Sequence, residues 1–130
     1  MYSLHKNDFT ILVVDDDFIN RTVIKHMLRG IQVRIEYCEN GKEAIDFIDE
    51  HIDDDIIVLL DINMPVMNGY QVIEYLKKDS YRYKNIKIIV VSGGNPAELE
   101  CKGYKNDIFY YLQKPVNKDE LIEQIILASI

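Results

Sequence analysis

The sequence predicts an α/β fold, a (βα)5 chain that forms one doubly wound, five-stranded parallel sheet with helices on both faces. Two observations lead there. Apolar strand-like runs and segments of helical spacing alternate five times along the 130 residues. Four of the apolar runs also end in a polar or charged group: 11–14 in Asp15-Asp16-Asp17, 56–60 in Asp61, 88–91 in Ser92-Gly93, and 109–113 in Lys114-Pro115. In an open parallel sheet those ends share the carboxyl edge, where ligands bind. Three carboxylates, a hydroxyl and an ammonium are therefore expected to converge.

Each element follows from its own residues. A strand at about 10–15 leads to a helix at about 18–29, in which Ile19, Val23, Met27 and Ile24, Leu28 recur at helical spacing; Gly30 stops it. Residues 32–38 alternate strictly, as an edge or half-exposed strand does. A helix at about 41–51 carries Ala44, Ile45 and Ile48 on one face. The run at 56–60 does not alternate, which predicts a central strand buried on both sides. After a turn-rich loop at 63–69, a helix at about 70–78 points Val72, Ile73 and Leu76 inward. A strand at 86–91 precedes Asn95-Pro96, an N-cap followed by proline at the first helical position. Gly103 limits that helix to about Lys102. A strand at 107–113 and a helix at about 118–129 complete the domain.

Residues 1–130 are expected to form one domain able to bury a core without disulfides. The chain is 48% apolar and 28% charged, which is ordinary globular composition. No apolar run approaches the roughly 20 residues of a membrane span, and the N-terminus has no apolar h-region. Cys38 and Cys101 read as reduced packing thiols, and a cytoplasmic location without membrane contact is expected. A net charge of -7 argues against a nucleic-acid surface, which needs a basic stripe. The Met1 start favours an intact protein or an N-terminal piece.

Clustered carboxylates repel, each pair at about 4 Å costing roughly 4 kcal/mol at an effective dielectric of 20. A shared cation relieves that cost, and dense hard oxygen ligands suit Mg²⁺, which leaves positions for phosphoryl oxygens. With Lys114 and Ser92 beside it, the site is suited to accepting a phosphoryl group on a carboxylate.

Asp15-Asp16, Asp61 with Met64-Pro65 and Asn68-Gly69, Ser92, and Lys114-Pro115, in that order along nearly the whole chain, resemble the receiver domain of two-component response regulators. The resemblance implies a flavodoxin-like receiver fold and Mg²⁺-dependent acceptance of a phosphoryl group from a histidine kinase or histidine phosphotransfer protein. Asp61 would be the phosphoacceptor. Asp16 would bind Mg²⁺ directly, Asp15 chiefly through water, and Asn63 through its backbone carbonyl. Ser92 and Lys114 would contact phosphoryl oxygens, Ser92 and Tyr111 would form the switch, and the Lys114-Pro115 bond would be cis. The signal would pass to an output or relay partner protein. Such a chain is a signalling domain, an enzyme only toward its own aspartyl phosphate.

Simpler readings fit other residues. Asp17 begins a helix, where a carboxylate meets the positive dipole end. His5, His26 and His51 lack metal spacing and read as surface residues, and Asp53-Asp54-Asp55 reads as a solvated loop. A Mg²⁺-dependent phosphohydrolase of the haloacid-dehalogenase type is the alternative, with Asp15-x-Asp17 as its first motif. It would lack the acidic pair after the lysine and the room for a cap.

The segment 93–106 departs most from the receiver pattern, with a short fourth helix and Gly103-Tyr104-Lys105-Asn106 before the last strand. It is expected to be mobile and to order on phosphorylation. Gly94, two residues after Ser92, has no side chain to shield an acyl phosphate from water, which predicts faster spontaneous hydrolysis than in a Gly94→Tyr or Gly94→Arg variant.

Overall fold

The computed structural model describes residues 9–130. Strands β1 (Phe9–Val14), β2 (Arg34–Cys38), β3 (Asp55–Leu60), β4 (Ile86–Ser92) and β5 (Tyr110–Gln113) alternate with helices α1 (Phe18–Met27), α2 (Gly41–Glu50), α3 (Gly69–Lys77), α4 (Pro96–Cys101) and α5 (Lys118–Ser129). All strands pair in parallel, in the order β2-β1-β3-β4-β5. The strand order reverses at β1, and it is at such a switch point that an α/β sheet opens a crevice at its carboxyl edge.

Unalternating apolar runs fill both faces of the central strands. Leu12, Val14, Val58 and Val90 meet α2, α3 and α4 through Ile48, Val72 and Leu99. Ile11, Val13, Leu59 and Ile89 meet α1 and α5 through Leu28, Leu121 and Ile125. Asparagine side chains start the later helices: Asn40 accepts from Glu43 N, Asn95 from Ala97 N and Asn117 from Glu120 N. Asn68 forms a full capping box with Gln71. Gly30, at φ 92°, follows α1 in the left-handed region where glycine is favoured.

Four expectations need correction. In α1 only Ile24 is buried, with Leu28 at the C-cap, while Ile19 and Val23 are 69% and 44% exposed. Val23 lies about 100° round the helix from Ile24, and the buried stripe of α1 is too narrow to hold both. The strand expected at 107–113 starts only at Tyr110, because Lys105–Asp107 forms a 3-10 turn closed by Asp107 N donating to Tyr104 O. There the turn preference of Asn106-Asp107 outweighs β propensity. Cys38 is a buried thiol, but Cys101 is exposed. His26 is exposed, whereas His51 is half-buried, stacked on Phe47 and bonded to its carbonyl. His5 and the N-terminal segment lie outside the described residues. Among the described residues no helix is long and apolar enough to cross a membrane.

The short α4 is anchored at its far end by aromatic contacts. Tyr104 stacks on Tyr70 at 5.8 Å and donates its hydroxyl to Glu74 of α3. Lys77 lies over the Tyr104 ring and Lys102 over the Tyr70 ring, at 5.4 and 5.2 Å. These contacts hold the Gly103-Tyr104 turn against α3.

Candidate functional site

Strand register brings the polar residues to one edge. Val14 pairs with Leu60, so Asp15 and Asp61 stand side by side one residue beyond β1 and β3. Ser92 pairs with Gln113, so Lys114 follows directly beyond β5. Backbone bonds continue the ladder past the strand ends: Asp15 N donates to Cys38 O, Asp61 N to Val14 O, and Lys114 N to Ser92 O. Asp15, Asp61 and Ser92 are buried, and Asp16 is exposed.

Asp15, Asp16 and Asp61 each offer an oxygen, all within 4.8 Å of one another. Lys114 Nζ lies 3.1 Å from Asp15 Oδ2 and 3.6 Å from Asp61 Oδ1. One ammonium leaves the set of three carboxylates negative, and an oxygen-only donor set of that charge suits a hard divalent cation such as Mg²⁺. Burial raises the Asp61 carboxyl from 3.8 to about 6. Lys114 opposes that rise, Asp15 adds to it, and the backbone N–H groups of Ile62 and Asn63 oppose it.

Supporting groups hold the carboxylates in place. Asp15 Oδ1 accepts from Asp17 N, and Asp17 in turn caps α1 through Ile19 N and Asn20 N. Asp17 is thus a helix cap at the start of α1, as its position suggested. The loop after β3 closes tightly. Gly69 N donates to Ile62 O, and a Cβ on Gly69 would lie 2.5 Å from the Asp61 carbonyl oxygen. Met67 N donates to Pro65 O at 2.7 Å around Val66, whose φ is 68°. That is a γ-turn of the rare, strained hand.

On the other side of the site, Ser92 Oγ accepts from Gly94 N at 3.2 Å. Gly94 O accepts from the Tyr111 hydroxyl at 2.8 Å and from Gln113 Nε2 at 3.3 Å. Ser92 and Tyr111 are therefore two hydrogen bonds apart. The Lys114-Pro115 bond is cis. Two supporting residues escaped the sequence reading, Gln113 and Arg21, whose Nη1 donates to the Asp15 carbonyl at 2.7 Å. Arg21 lies six residues past Asp15 in the first turns of the helix, a placement that could have flagged it.

Comparison with known proteins agrees with this geometry. The family model described as response regulator receiver domain matches residues 11–126. The transcriptional regulatory protein ZraR of Klebsiella oxytoca is 32% identical over 85% of this chain and 24% of its own length. The cell cycle transcriptional regulator CtrA of Caulobacter vibrioides is 29% identical over 88% of this chain and 48% of its own. The chain thus spans about half or less of these relatives. The chemotaxis response regulator CheY4 of Vibrio cholerae superposes with a TM-score of 0.75 at 26% identity, covering 92% of this chain and 98% of its own. Two relatives are transcriptional regulators by name, so the argument from net charge against nucleic acid finds no support among them. With the sheet, its strand order and the matched residues in agreement, the chain belongs to the response regulator receiver domain family of two-component signalling.

Proposed function

We propose that this receiver accepts a phosphoryl group on Asp61 from a phosphohistidine donor, in a Mg²⁺-dependent reaction, and passes the signal to an output or relay protein. The observation that carries this reading is the placement of Lys114 between Asp15 and Asp61, with Asp16 completing the oxygen cluster. Asp15, Asp16, Asp61 and the Asn63 carbonyl would hold Mg²⁺. When bound, the ion neutralises phosphoryl oxygens and Asp61 together.

An Asp61 oxygen attacks phosphorus, the phosphorus–nitrogen bond to the donor histidine breaks, and its electron pair leaves on the imidazole. Lys114 supplies the fixed positive charge that faces the incoming group. Ser92 moves its hydroxyl from Gly94 N toward a phosphoryl oxygen, and the loop after it, whose Gly94 carbonyl accepts from Tyr111, shifts in response. The donor is a histidine kinase or histidine phosphotransfer protein, and the setting is the cytoplasm. Residues 1–130 act as a single receiver domain.

Incubation with acetyl phosphate and Mg²⁺ followed by peptide mass spectrometry tests the reading. An adduct of about 80 Da is expected on the peptide containing Asp61, as for an aspartyl phosphate. Asp61→Asn should abolish it. An adduct on Asp15, or labelling that survives in Asp61→Asn, would refute it.

A further inference from the structure

A groove of about 660 Å³ runs between α1 and the edge strand β2, from Phe18 near the site to Gly30 and Ile31 at the opposite edge of the sheet. That volume is typical of ligand sites. Its floor is apolar, formed by Leu28, Ile35 and Tyr37, and its rim carries Arg21, Lys25 and Arg29. No aspartate or glutamate lines it.

Arg21, Lys25 and Arg29 follow one another at four-residue spacing, one above the next on a single face of the helix. Like charges at that spacing repel one another, and of the three only Lys25, in the last turn of α1, is placed to gain from the helix dipole in return. Among the described residues none of the three forms an ion pair, although the chain carries 22 acidic side chains against 15 Lys and Arg. Arg21 donates to a backbone carbonyl and Arg29 to His26 Nδ1. An unpaired basic stripe above an apolar floor, in a strongly acidic protein, needs an occupant that brings both carboxylates and apolar groups.

We propose that this groove docks an acidic amphipathic helix of a partner protein. Carboxylates four residues apart on that helix advance about 6 Å at each step, the same step as the stripe on α1. Apolar residues on its inner face cover Leu28, Ile35 and Tyr37, the helix-in-groove mode of recognition. A nucleic acid fits less well, since three cations over an apolar floor beside a net charge of -7 offer little to a phosphate backbone. The exposed Ile19 and Val23 do not line the groove, so its occupant leaves that side of α1 free. The inference does not depend on phosphorylation of Asp61.

The probe is a synthetic helical peptide with glutamate at every fourth position and leucines between, added to isotope-labelled full chain. Amide shifts confined to α1 and β2 are expected, with affinity falling as salt rises. The double variant Lys25→Glu with Arg29→Glu alters two exposed side chains and should weaken binding about tenfold, with phosphorylation by acetyl phosphate unchanged. Absent or displaced shifts, undiminished binding by the double variant, or equal binding of a lysine-substituted peptide would each overturn the proposal. So would a dimer in sedimentation that the same double variant dissolves, because the occupant would then be a second copy of this chain.

Discussion

Replacing Asp61 by asparagine should stabilise the metal-free protein at neutral pH and change it little in acid. Asp61 is 6% exposed, and burial raises its carboxyl from 3.8 to about 6. A carboxyl raised in this way holds its proton more tightly when folded. The stability contributed by that proton is complete below about pH 3.8 and is lost as pH rises through about 6. A displacement from 3.8 to about 6 corresponds to at most about 3 kcal/mol. Asparagine never ionises and escapes the loss, but it also gives up the Lys114 contact at 3.6 Å. Lys114 keeps Asp15 at 3.1 Å, which limits that second cost and leaves a net gain of about 1–2 kcal/mol. Urea unfolding of both proteins with a chelator present, from about pH 4 to about pH 8, measures the difference. A gap that does not change with pH, or an asparagine variant less stable than the parent at about pH 8, would refute the reasoning.

Further perturbations follow from the same geometry. Val66→Gly removes the β-branched side chain from this strained γ-turn at φ 68° and should raise stability by about 1 kcal/mol in thermal unfolding. Gly69→Ala puts a methyl 2.5 Å from the Asp61 carbonyl oxygen; it should cost about 1–3 kcal/mol and slow labelling of Asp61 by acetyl phosphate. A Cβ on Gly94 would sit 3.6 Å from Ser92 Oγ, so Gly94→Arg should lengthen the phosphoryl half-life measured by acid-quenched decay, and equal decay rates would count against shielding. Amides of 93–106 should exchange more slowly with beryllofluoride and Mg²⁺ bound, and matched exchange with and without them would remove the idea of ordering on phosphorylation.

The architecture was legible because its signals repeat. The unalternating apolar run at β3 marked a central buried strand, and the placement of Asp15, Asp61, Ser92 and Lys114 at strand ends pointed to the edge that mattered. Asp17 could be read as a cap because an N-cap is a local interaction, confirmed by Ile19 N and Asn20 N. What escaped was tertiary. Periodicity marks a helix but not the width of its buried stripe, so Ile19 and Val23 looked equivalent to Ile24. The docking of Tyr104 on Tyr70, a contact 34 residues apart in sequence, is of the same kind, and no local pattern announces it. Arg21 and Gln113 reach the site through backbone carbonyls, partners that every residue offers, so only the placement of Arg21 in the first turns of α1 hinted at its contact.

The tyrosine hydroxyls have a spectroscopic consequence. The chain contains nine tyrosines and no tryptophan, so its near-ultraviolet signal comes largely from phenols. Tyr75 and Tyr83 donate to Asp49, Tyr104 to Glu74 and Tyr110 to Glu120. A phenol bonded to a carboxylate passes its proton readily on excitation and emits weakly. Tyr111 donates instead to the Gly94 carbonyl, a far weaker base, and should contribute more of the emission. A change at the Ser92 loop would thus reach the fluorescence through Tyr111, over a constant background from the exposed Tyr37 and Tyr81, so the native chain can be followed in real time without an added label.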